Sequence, residues 1–237
     1  MIKFFRHIRK TLINQNQMSK YLKYAIGEIL LVVVGILLAL QINNWNEGRK
    51  ERQHQNILVT QLLEDAKIDS IFYLSRLELY SDQIETYDIL KRYCSSKKKD
   101  SNLISMVFAN RETPFMAAAS ESNVMSNKNE HSKITDPTIK KALRDYTISY
   151  KYISKANDLH TELVLDEGNQ IRRNYDYPYE TTDSIEISRY YALCDVPNIT
   201  GIMNLCEGAT INVKEQAERF IADNQKLIND CHAYLND

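Results

Sequence analysis

From Tyr24 to Ile42 the chain reads YAIGEILLVVVGILLALQI, and the twelve residues from Ile29 to Leu40 carry no polar side chain. Nineteen residues at about 1.5 Å each nearly match a hydrocarbon core of roughly 30 Å, so the pattern predicts a transmembrane helix. Tyr21 and Tyr24 stand at one end and Trp45 at the other, where aromatic rings favour the interface. The apolar pattern then changes period. Val59, Leu62, Ala66, Tyr73, Leu77, Tyr80, Ile84 and Tyr87 fall on one 3.6-residue stripe, widened by Leu63 and Leu74. One long helix is therefore expected to continue from the span through Asn46 to about Tyr93. Its stripe is broader than a two-position seam and favours a bundle over a two-stranded coiled coil.

SSKKKDS, residues 95–101, breaks the rhythm and reads as a solvated turn. Residues 103–135 hold short apolar pieces and are expected to form one or two short helices. Asp136 and Pro137 mark the next start, a capping acid followed by a proline suited to the first helical position. Ile139, Leu143, Tyr146, Tyr150, Ile153, Asn157, His160 and Val164 keep the helical period to about Arg173. Residues 174–208 read as irregular, with two short helices. A last helix is expected from Asn212, where Asn212 and Glu215 resemble a capping box, with Val213, Ala217, Phe220, Asn224, Leu227, Cys231 and Leu235 inward. The fold class is all-α: an N-terminal amphipathic helix, a transmembrane helix running into a long helix, and a C-terminal bundle.

Composition sharpens this reading. Only six Gly and four Pro occur in 237 residues, and none between Arg49 and Thr113, which favours long helices. The net charge of −1 hides an asymmetry. Of 30 bases and 31 acids, six bases and one acid lie in residues 1–45, so the remainder has 24 bases and 30 acids. That balance speaks against a nucleic-acid partner. Six bases and no acids precede the span, which puts the N-terminus in the cytoplasm. A cleaved signal peptide is the competing reading. It fits less well, because its basic region is 23 residues long and no A-x-A site follows the apolar run. The expected organisation is a cytoplasmic basic amphipathic segment (1–23), a transmembrane helix (24–45) and a periplasmic helical-bundle domain (46–237). Ile2, Phe5, Ile8 and Leu12 recur at helical spacing among bases. Phe4, Phe5, Arg6 and Arg9, with Tyr24 and Trp45, are the expected membrane-interface residues; a solvated basic tail is the plainer alternative.

Glu28 is an acid inside the span, where a carboxylate is costly. Steps of seven and four place it on one face with Gly35 and Ala39, a small-xxx-small pair that lets helices approach closely. Three readings stay open: a carboxylate snorkelling to the headgroups, an acid that joins transmembrane helices, and a proton-relay group.

The four cysteines, Cys94, Cys194, Cys206 and Cys231, all follow the span and so fall in a compartment where disulfides persist. Four cysteines allow three pairings. Cys194–Cys206, stapling an irregular loop, is the expected candidate, with buried free thiols as the alternative. His160 and Asn157 interrupt a core stripe and read as a hydrogen-bonded core pair. CxxC, HExxH, GxGxxG and Walker patterns are missing, so no catalytic residue, metal or cofactor is expected.

The segment GEILLVVVGILLALQINNWNE, Gly27 to Glu47, resembles a large uncharacterised family of small membrane proteins from Bacteroidota. The likeness is specific over residues 1–50 and beyond them is a helical pattern that includes ALRDYTISY, Ala142 to Tyr150. It implies an inner-membrane protein with a periplasmic domain, and it brings no activity. The expected function is a non-enzymatic interaction or scaffold protein, with the lipid bilayer and a membrane protein or second copy as partners. The alternatives are an ion-coupled membrane subunit using Glu28 and a periplasmic sensor domain.

Overall fold

A computed structural model describes residues 18–96, 121–175 and 193–236. Every element in them is helical: α1 (Met18–Ser95), α2 (Asn123–Ser126), α3 (Lys128–His131), α4 (Pro137–Tyr175) and α5 (Ile199–Asn236). The expected amphipathic helix at residues 2–13 lies outside the described residues. The chain divides into two compact units, Met1–Gln55 and Asn56–Asp237. That division follows packing, whereas the expected boundary after residue 45 follows side-chain polarity.

In the first unit, α1 is long and apolar enough to cross a membrane, and its most apolar window buries nothing. Every large apolar side chain from Ile29 to Ile42 is exposed, a surface compatible with a membrane anchor. The polar stretch after it is tied by one-turn contacts. The Asn43 amide donates to Glu47 at 2.9 Å, the Gln55 amide donates to Glu51 at 2.9 Å, and Arg49 lies over the Trp45 ring.

In the second unit, contacts fix the helix directions. Going down α1, Asp69 meets Tyr146 and Tyr80 meets Asn157, so α4 runs parallel to α1. Ala66 meets Asn224, Tyr73 meets Phe220 and Lys91 meets Glu207, so α5 runs antiparallel to α1. The parallel pair requires a crossover, and its described end is the α2–α3 segment. Two apolar clusters fill the bundle. One joins Leu62, Ala66 and Tyr73 to Tyr146, Ile153 and Phe220. The other joins Tyr87, Leu90 and Tyr93 to Val164, Ile171 and Met203. Each such aliphatic or aromatic side chain contributes about 1.5–3 kcal/mol on burial.

Most of the expected α1 stripe is buried; Leu77 and Ile84 are half-buried, and Leu74 is exposed. The α4 start is as read. Asp136 Oδ1 accepts from the Thr138 and Ile139 amides, both at 2.9 Å. The α5 start is corrected: the helix begins at Ile199, and Asn212 and Glu215 are exposed residues in its interior. Ile199, Met203, Cys206 and Thr210 extend the inner stripe at steps of four, three and four, so burial carries the helix through Gly208. Asn198, at φ 58°, precedes α5. Its side chain crowds Gly201, where an added Cβ would lie 2.5 Å from Asn198 Oδ1. Of the irregular stretches, residues 97–120 and 176–192 lie outside the described residues, and 123–131 form the two one-turn helices.

Candidate functional site

Helical spacing puts Glu28, Gly35 and Ala39 on one face of α1. Gly35 and Ala39 are exposed, and a Cβ built on Gly35 meets nothing within 4 Å, so this face is open to a close neighbour. Glu28 is half-buried. Trp45 is exposed under Arg49. Phe4, Phe5, Arg6 and Arg9 lie outside the described residues, as does the Tyr24 side chain.

The second unit holds polar groups that periodicity did not pick out. Asp69 stands at a core position between Ala66 and Tyr73 and is 1% exposed. Its carboxylate accepts from Ser122 Oγ at 2.8 Å, from the Asn123 amide N–H at 2.7 Å and from the Val124 amide N–H at 3.2 Å. It also accepts from Asn123 Nδ2 at 3.0 Å and from the Tyr146 hydroxyl. Burial, then the charge of Asp69, drives the Tyr146 pKa far above the usual tyrosine value, so this hydroxyl stays a donor. Ser122 completes the cap by accepting from the Met125 amide at 3.0 Å. One turn earlier on α1, Asp65 accepts from Asn127 Nδ2 and faces His131 Nε2, both at 2.8 Å. Two carboxylates four residues apart thus hold the whole α2–α3 segment against α1. The signal in the sequence was an acid in register with a core stripe.

An open cleft of about 470 Å³ adjoins this clamp, lined by Glu121, Ser122, Asn123, Met125, Ser126 and Tyr150. Ser122 Oγ is already committed to Asp69, Tyr146 and the Met125 amide, so it is no activated nucleophile. The lining offers hydrogen bonds without a histidine or lysine base.

Farther along, a polar seam crosses the bundle. Tyr80 donates to Asn157 Oδ1 at 2.8 Å, and burial pushes the Tyr80 pKa up to about 12. Thr210 Oγ1 donates to the Cys206 carbonyl at 2.9 Å. That hydroxyl must then accept from His160 Nε2, which lies 3.0 Å away. The tautomer follows: Nε2 carries the proton, and Nδ1 is buried without a hydrogen-bond partner among the described residues. Burial lowers the His160 pKa to about 4, so the ring is neutral. His160 and Asn157 are core polar groups as expected, but each is satisfied by a neighbouring helix and not by the other.

The cysteine expectation is corrected. Cys94 is bonded to Cys194, with Cα atoms 5.1 Å apart, and Cys206 and Cys231 are buried free thiols. The reason is the early start of α5. Cys206 sits on the inner face of that helix, while Cys194 lies before it, beside the last turn of α1. Burial pushes the thiols up to about 11 for Cys206 and about 12 for Cys231, which makes them unreactive. Among the described residues, no group of three His, Cys, Asp or Glu could hold a metal ion.

No curated protein and no solved structure matches the chain. Residues 28–135, from Glu28 in the apolar stretch through α1 and the segment that Asp65 and Asp69 hold, match a family of unknown function, DUF6090.

Proposed function

We propose that this is a membrane-anchored interaction protein without catalytic activity, placed in the inner membrane of a Gram-negative bacterium with its N-terminus cytoplasmic and its bundle periplasmic. The observation that carries the reading is the unburied apolar surface from Ile29 to Ile42, which only lipid or another apolar helix satisfies. The six bases ahead of it support the orientation. The Cys94–Cys194 bond supports an oxidising compartment for the bundle. Within the bilayer, the face of Glu28, Gly35 and Ala39 is read as the contact with a partner helix, from another membrane protein or a second copy.

Alkaline phosphatase fused to the C-terminus tests the placement: it should be active, and a fluorescent protein that folds only in the cytoplasm should be dark there. The opposite pair of signals sinks the topology. Glu28→Gln then separates roles. A packing acid tolerates the change or loses assembly, whereas a proton relay loses function with assembly intact.

A further inference from the structure

The outer faces of α1 and α4 in the second unit are both apolar and oppositely charged. On α1, Ile57, Ile68, Ile71 and Leu74 are all more than half exposed, Ile71 reaching 70%. They follow one another at helical steps, and Glu64, Glu78, Asp82 and Glu85 continue the same face. Lys67 is the base among them. On α4, Lys140, Lys141, Arg144, Lys151 and Lys155 are all exposed along about 22 Å of helix. Ile148, Tyr152 and Leu159 are interleaved with them, Tyr152 at 64% exposure. Two acids fall within the stretch to Leu159: Asp145 is engaged by Lys226 of α5 at 3.6 Å, and Asp158 is exposed one turn beyond Lys155. None of the five cations forms an ion pair among the described residues.

A helix that packs one face in a core ordinarily presents a mixed-charge outer face. Here five bases concentrate on α4 although residues 46–237 carry more acids than bases. Isolated exposed apolar residues need no explanation, but a run of them set between charges of one sign marks a contact surface.

We propose that the second unit self-associates, the acidic and apolar face of α1 in one copy docking on the basic and apolar face of α4 in another. The proposal deepens the interaction role above by naming a second copy of this chain as the partner. Charge complementarity argues for that occupant: the surface that answers the α4 cations is present on the same molecule, with isoleucine and leucine leading into its acids. An anionic lipid surface, by contrast, engages α4 alone and leaves the α1 isoleucines uncovered.

The test mixes nitrogen-14 and nitrogen-15 full-length chains in detergent and treats them with a carbodiimide, which joins touching lysine and carboxylate side chains as amides. Mixed-isotope peptides linking residues 78–85 to residues 140–155 are expected, with a yield that falls as salt screens the contact. Lys151→Glu with Lys155→Glu should cut that yield about fivefold or more. Adding Glu78→Lys and Glu85→Lys to the same chain should restore it, which also shows that the variants fold. Absent mixed links overturn the proposal. If the copies still co-purify, association belongs to the anchor and the reading above survives. Loss without restoration by the swap also overturns it, and assigns the α4 face to an anionic lipid or an acidic partner. Mixed links with an inactive phosphatase fusion uphold self-association and reject the topology.

Discussion

Asp69 gathers five hydrogen bonds in a site closed to water, and four of its donors come from the α2 start and the residue before it. A carboxylate there satisfies backbone N–H groups that a helix start leaves open. Removing it strands buried donors, which costs more than removing one of several donors. Asp69→Ala should therefore destabilise the protein by about 3 kcal/mol or more, and Tyr146→Phe by about 1 kcal/mol. Urea unfolding of the detergent-solubilised chain, followed by circular dichroism, measures both. Equal costs would mean that Asp69 does not organise the segment. The sequence carried a mark of this site, an acid at steps of three and four from Ala66 and Tyr73. It did not reveal the partners, since they arrive from residues 53 to 77 positions away.

Between elements, α4 and α5 meet through His160 and Thr210, and this contact makes the bundle sensitive to acid. The neutral ring is required in the fold, because burial holds its pKa near 4 against about 6.5 in the unfolded chain. The unfolded state binds the proton first as pH falls. The stability is thus fully present above pH 6.5 and is lost between about 6.5 and 4, by about 3 kcal/mol for this one group. His160→Gln, which keeps a donor for Thr210, should flatten that part of the stability–pH curve relative to the parent. An unchanged slope would place the acid sensitivity elsewhere. The helices themselves were legible to different degrees. α1 and α4 could be read because apolar periodicity and local capping agree at Asp136 and Pro137. The start of α5 could not, because Pro197, Gly201 and Gly208 punctuate the sequence while the inner stripe runs on beneath them. Tertiary burial of Met203 and Cys206 outweighs the local cost of an exposed Gly208.

At the scale of the whole molecule, a single covalent link reports on both packing and compartment. The fold class and the apolar stretch were legible because each is written in local period and run length. The cysteine pairing was not, because it joins residues 100 positions apart at ends set by where α5 begins. The bond ties the last turn of α1 to the residues that lead into α5, so it constrains the unfolded chain over a long loop. Cys94→Ser should lower stability by about 2–4 kcal/mol, whereas Cys206→Ser leaves the link intact. The bond also needs an oxidising surrounding to persist. Cells quenched with acid, then denatured and treated with a maleimide polymer, should yield a chain labelled at two of its four cysteines, Cys206 and Cys231. Prior reduction should raise the count to four, and Cys94→Ser without reduction should give three by freeing Cys194. Four labels without reduction would place the bundle in a reducing compartment and remove the periplasmic reading, whatever the stability of the purified protein. One label in Cys94→Ser would instead point to a pair that excludes Cys94, and the helix ends would then have to be held together by the apolar cluster around Tyr93 and Leu193 alone.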